Sequence, residues 1–222
     1  MKPLAECVLY TFVDAAYLHG RDPIEITKRL CEGGSDLIQL RAKDWPSEKI
    51  LETGRRLLEI TDAFGVHLVI NDHLAVAREI GASICHLGQE DFFDTGYKHV
   101  SELPKGRGRA VKIGLSTHAP DQAERAVAAG ASYVAIGPVF ATETKPRAKP
   151  VTLEYVRWAA EHVKIPWFAI GGINLVNLPD VIAAGARRIC VVSAILDSSD
   201  VAATCRGFKD ALTTSASTDD RD

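Results

Sequence analysis

Eight short apolar runs, rich in Val, Ile, Leu and aromatic residues, recur along the chain at 7–13, 36–40, 67–70, 84–87, 110–115, 133–136, 166–170 and 188–192. Strands of this length with little polar alternation are those buried on both faces, as in parallel sheets. Between them lie longer stretches of helical period. The clearest is 46–64, with Ile50, Leu51, Leu57, Leu58 and Ile60 on one stripe; another is 119–129, behind a cap-like Ser116-Thr117. A strand-helix alternation along the whole chain predicts an α/β fold, and eight is the strand number that closes a parallel barrel. The expectation is a single (β/α)8 TIM barrel over 1–212, with 213–222 as a polar, disordered tail. An open doubly wound sheet stays possible at this point, although no G-x-G-x-x-G follows the first run.

Glycine marks the predicted junctions from helix into strand: Gly33-Gly34, Gly81, Gly130 and Gly185 each stand just before a run. A glycine behind a helix end takes the left-handed backbone that closes it.

Composition narrows the function. In 222 residues, 26 Lys and Arg face 29 Asp and Glu, so no overall basic field draws in nucleic acid or anionic lipid. An anionic ligand would have to be held locally. The five cysteines are scattered, without metal-type spacing, and read as reduced thiols. No apolar stretch approaches 18 residues and only Lys2 precedes the first run, so neither a membrane span nor a signal peptide is expected, and the location is read as cytoplasmic.

Polar residues collect directly behind the apolar runs, where α/β folds place their chemistry. Asp72 and Asp91 follow the third and fourth runs, and two carboxylates at one barrel mouth suit a magnesium ion, which takes oxygen ligands. Either acid alone would equally serve as a helix cap. Gln39, Arg41 and Lys43 alternate at the end of the second run and so share a face, giving a fork and a point charge for a diphosphate, or else a solvated strand end. Asn71 and Ser116 are a candidate heterocycle ligand and a candidate phosphate ligand, or turn residues. Gly171-Gly172 and Ser193 follow the seventh and eighth runs, the usual phosphate site of this barrel. His118 is a candidate acid or base or an exposed histidine at a helix start; His67 and His86 read as core or layer residues.

At these residues the sequence resembles the thiamine-phosphate synthase family. The likeness runs through QLRAK at 39–43, VIND at 69–72, HLGQED at 86–91, GLSTH at 114–118, GPVFATETK at 137–145, AIGGI at 169–173 and VVSAI at 191–195, in the family's order, and covers about 7–210. The resemblance implies that a hydroxymethylpyrimidine diphosphate is joined to a thiazole phosphate, giving thiamine phosphate and diphosphate with one magnesium ion. Asp72 and Asp91 would bind the metal. Gln39, Arg41, Lys43, Asn71, Ser116 and Lys145 would hold the pyrimidine diphosphate, with Arg41, Lys43, Ser116 and Lys145 the catalytic set. Thr142, Thr144, Gly171, Gly172, Val192 and Ser193 would hold the thiazole phosphate. The family reaction is dissociative: diphosphate leaves, and the thiazole nitrogen attacks a pyrimidinylmethyl cation.

The sequence departs from the family at Ala42, often an acid there, and at 146–152, which is shorter and more basic than usual. Two rivals stay open. The related thiazole tautomerases share the barrel, and His118 keeps that reading alive; a non-catalytic barrel binding a thiamine precursor is the other. Neither nucleic acid nor a membrane is expected as a partner.

Overall fold

The eight apolar runs form eight parallel strands that close on themselves in chain order. They are β1 (Leu9–Asp14), β2 (Leu37–Arg41), β3 (His67–Asn71), β4 (Ile84–Leu87), β5 (Lys112–Thr117), β6 (Tyr133–Ile136), β7 (Trp167–Ile170) and β8 (Ile189–Val191). β8 pairs back onto β1, Leu9 opposite Ile189, which excludes the open sheet. The computed structural model describes residues 1–106, 110–142 and 150–219, with side chains described through 214.

Helices cover the outside: α1 (Pro23–Glu32), α2 (Ser47–Ala63), α3 (Leu74–Ile80), α4 (Gln89–Phe92), α5 (Pro120–Ala128), α6 (Thr152–His162), α7 (Leu178–Ala183), α8 (Ser193–Leu196) and α9 (Val201–Asp219). Successive strand residues point to opposite faces. Leu9, Val13, Leu40 and Ile70 therefore turn outward under the helices, while Tyr10, Phe12, Gln39, Asn71, His86, Tyr133 and Phe168 turn into the barrel. Tyr10, Tyr133 and Phe168 pack edge to face there, with centroids 5.4–6.0 Å apart. Gly114 lies opposite Tyr133 on the neighbouring strand, and a Cβ on it would stand 2.1 Å from the tyrosine ring. The missing side chain is what admits the ring.

The amino-terminal foot of the barrel is closed by Asp36. Its carboxylate accepts from the amides of Val8 (2.8 Å) and Leu9 (3.1 Å), from Lys2 (3.1 Å) and from Lys209 of α9. Burial would raise its pKa, but these donors outweigh it and hold the carboxyl below its ordinary value. His67 sits in the same layer, between the Lys2 carbonyl (2.7 Å) and Ser83 (3.3 Å), in keeping with its reading as a layer residue.

Three details differ from the sequence expectation. Ser116 and Thr117 belong to β5 rather than capping the next helix. The buried Thr117 donates to the Ala135 carbonyl (2.9 Å), and the helix starts later, at Pro120, whose fixed φ suits a first helical position. At the first junction Gly34, not Gly33, takes the left-handed backbone (φ 88°); Gly33 is instead kept small by Cys205, whose Cβ would lie 2.5 Å from an added one. Finally, α9 runs to Asp219, through most of the segment expected to be a disordered tail. Phe208 and Leu212 anchor it, and a helix already nucleated extends at little cost.

Candidate active site

The carboxyl ends of the strands open into a cleft of about 860 Å³, part of it continuous with solvent. Of the residues singled out in the sequence, Gln39, Arg41, Asn71, Ser116, His118, Thr142, Gly171, Gly172, Val192 and Ser193 line it. Lys43, Asp72 and Asp91 stand beside it, linked through Asn71, whose Nδ2 donates to Asp72 Oδ2 at 2.6 Å. Thr144 and Lys145 lie outside the described residues.

On the acidic side, β3 ends at Asn71 and the chain turns at Asp72, which takes the left-handed region (φ 61°), costly for a non-glycine residue. Asp72 does not cap the next helix; α3 begins at Leu74 with no side-chain cap. Its carboxylate faces Lys43 at 3.9 Å and stands close to Asp91. Burial, and then the charge of Asp91, push the Asp72 carboxyl up to about 6 against the pull of Lys43 and Arg41. Asp91 has the capping contact the sequence offered for it, one oxygen accepting from the Gly88 amide (3.0 Å) at the start of α4.

The cationic side comes from β2. Arg41 Nη1 donates to Asp14 Oδ2 at 2.7 Å across the register pair of β1 and β2. Asp14 is 1% exposed, so Arg41 is braced by a buried carboxylate and presents its planar fork to the cleft from a fixed position. The sequence reading missed Asp14, although its place, an acid at a strand end in step with Tyr10 and Phe12, follows the same rule that picked out Asp72.

The floor of the cleft is polar and fully connected. Gln39 Nε2 donates to the Tyr10 hydroxyl, Tyr10 meets the Tyr133 hydroxyl (3.0 Å), Tyr133 meets His86 Nδ1 (3.0 Å), and His86 Nε2 meets Ser116 Oγ (2.9 Å). The Ser116 carbonyl also accepts from Gln89 (2.6 Å), whose own carbonyl accepts from Arg125. Tyr10 and Tyr133 carried no signal in the sequence beyond being aromatic positions in strands. His86 is buried as expected, but it reaches the cleft. His118 is not an exposed helix-start histidine: its ring lines the cleft and its Nδ1 bonds the Gly137 carbonyl.

At the far side, the loops after β6 and β7 interlock. Val139 and Phe140 donate to the carbonyls of Ile170 (2.8 Å) and Gly171 (3.0 Å). Gly171 and Gly172 both have positive φ, and a Cβ on either would lie within 2.6 Å of the β6 loop backbone. No other residue fits both the angle and the space. Ser193 opens α8 beside them. A glycine loop next to a short helix after β7 and β8 is the anion cradle of this barrel class.

Comparison with known proteins identifies a family. The family model described as Thiamine monophosphate synthase matches residues 9–195. Thiamine-phosphate synthase of Thermus thermophilus is 43% identical over 190 residues, 85% of this chain and 88% of that protein. The Shouchella clausii enzyme of the same name is 38% identical over 213 residues, covering 96% and 98%. Among solved structures, thiamine phosphate pyrophosphorylase from Pyrococcus furiosus superposes with a TM-score of 0.84 at 28% identity, covering 96% of this chain and 98% of that one.

Proposed function

The chain belongs to the thiamine monophosphate synthase family, and from that membership we propose how its own residues carry the family reaction. The reaction transfers the hydroxymethylpyrimidine group from 4-amino-2-methyl-5-(diphosphooxymethyl)pyrimidine to 4-methyl-5-(2-phosphooxyethyl)thiazole, giving thiamine phosphate and diphosphate. One observation carries the assignment of the site. A braced arginine, an acid pair, a polar floor and a glycine cradle converge on one mouth.

In this reading, Gln39, Asn71 and Ser116 hold the pyrimidine, and Arg41 and Lys43, with Lys145, hold its diphosphate. Gly171, Gly172, Val192 and Ser193, with Thr142 and Thr144, hold the thiazole phosphate. The acid pair suits one magnesium ion: two neighbouring carboxylates, one with its proton retained up to about pH 6, are a donor set that a divalent cation would relieve. Water and substrate phosphate would complete the coordination of such an ion. When bound there, magnesium would supply charge for the departing diphosphate. Arg41 and Lys43 act on the same group, and the fixed Arg41 stabilises developing charge without reorganising. The cradle places the thiazole phosphate across the cleft, so both partners are oriented before bond formation. No protein nucleophile is needed. No helix of the described residues is long and apolar enough to cross a membrane.

The test is thiamine phosphate formation by the purified protein from both phosphorylated substrates, with magnesium present or chelated. Product that disappears on chelation and returns with magnesium is the expected result. Thiazole phosphate binding without product would overturn the reaction assignment, and undiminished turnover under chelation would overturn the metal.

A further inference from the structure

The hydrogen bonds beneath the cleft run without a break from Gln39 to Ser116, and such a chain has a direction. Gln39 donates through Nε2 to the Tyr10 hydroxyl, and the arrangement that gives every hydroxyl proton along the chain an acceptor has Tyr10 donate to Tyr133. In that arrangement Tyr133 donates to His86 Nδ1, and the imidazole proton sits on Nε2, aimed at Ser116 Oγ. With its oxygen already accepting from His86, Ser116 offers its own O–H to whatever enters the cleft. At the other end, the Gln39 amide nitrogen is engaged below, so its carbonyl Oε1 is the terminus left for a ligand.

We propose that this buried chain sets the polarity of the pyrimidine site, an acceptor at Gln39 and a donor at Ser116, and that His86 is its positioning residue, held as the neutral Nε2–H tautomer. A 4-aminopyrimidine matches that polarity, since its exocyclic amine donates and its ring nitrogens accept. A 4-oxo analogue, with an acceptor in place of the amine, meets Gln39 with like polarity and is rejected. Burial raises the pKa of both Tyr10 and Tyr133 well above the ordinary phenol value, so both remain O–H donors at neutral pH. The geometry is also rigid: the Tyr133 ring is clamped between Gly114 and Phe168 and stacks near His86, centroids 5.6 Å apart. The inference rests on the reading that Gln39 and Ser116 hold the pyrimidine.

Nitrogen-15 NMR of the histidine side chains in the free protein, with His86 assigned by its loss in a variant, reads the tautomer directly. A pyridine-type Nδ1 and a protonated Nε2 are expected; the opposite tautomer would overturn the proposal. Steady-state kinetics then separate polarity from packing. His86→Leu breaks the chain and raises the pyrimidine diphosphate KM about 5- to 10-fold, the size of one lost hydrogen bond. His86→Gln, whose amide carries an acceptor oxygen and a donor nitrogen in place of the two ring nitrogens, restores most of that loss. The thiazole phosphate KM stays constant in both. Equal damage by Leu and Gln, or damage shared by both substrates, would show a packing role and sink the proposal. If His86→Leu does not fold, Tyr133→Phe breaks the same chain while keeping its ring, with the same expected KM split. A pyrimidine KM indifferent to Ser116→Ala would instead remove the underlying site reading, which the free-protein tautomer does not depend on.

Discussion

The two ends of the barrel treat a carboxylate in opposite ways. At the foot, Asp36 accepts from two backbone amides and two lysines, and its pKa is lowered despite burial. At the mouth, Asp72 is also largely removed from water but stands against Asp91, on a strained backbone, with Lys43 no nearer than 3.9 Å, and its pKa rises to about 6. The foot is satisfied internally; the mouth is left in need of outside charge. Stability and function are thus divided along the barrel axis, and the mouth holds the strain that a bound cation and a diphosphate would relieve.

Substitution at the foot is the strongest way to expose this division. Asp36→Ala leaves Lys209 and two amides without their acceptor and should lower unfolding free energy by about 3–5 kcal/mol, read from denaturant titration. Turnover per folded molecule should not change. At the mouth the pattern inverts. Asp72→Asn should lower turnover about 100-fold, comparable to loss of one preorganised electrostatic group, while raising metal-free stability at pH 7.5 by about 1–3 kcal/mol. A variant that lost both activity and stability would erase the contrast.

The pH dependence should carry opposite signs at the two ends. The folded pKa of Asp72 lies above its unfolded value, so its contribution to stability is complete below about pH 4 and is lost as pH rises through about 6. Asp36, with a lowered folded pKa, contributes above about pH 4, and that contribution is lost as pH falls through the folded value. Denaturation of the metal-free protein at pH 5 and pH 7.5 should show a fall in stability that Asp72→Asn removes and Asp36→Asn does not. The smallest effect belongs to the cradle: Ser193→Ala should raise the thiazole phosphate KM about 3- to 10-fold, the scale of one hydrogen bond, with the pyrimidine KM unchanged. An effect on the pyrimidine side alone would reverse the division of the cleft.

Much of this architecture was legible in the chain. Strands buried on both faces must be apolar throughout, and the eight runs mark the eight strands to within about two residues at each end. Residues at strand ends necessarily share the mouth of a barrel, which is why Asp72, Asp91, Arg41 and Ser116 could be named from their offsets alone. Local signals misled where a contact from elsewhere in the chain overrode them. Ser116-Thr117 has the chemistry of a cap, but pairing with β6 keeps it in the strand.

What the sequence determined by itself was periodicity and offset: which segments are strands, that their number suits a closed barrel, and which polar residues stand at the strand ends. The tertiary structure decided everything that depends on two strands meeting. Asp14 braces Arg41 only because β1 and β2 lie in register, and Tyr133 reaches His86 only because Gly114 yields the space. The pKa of Asp72 depends on Asp91 arriving from the next strand-helix junction. Hydrogen-bond direction and charge coupling act over a few ångströms in space, and separation along the chain carries no record of them.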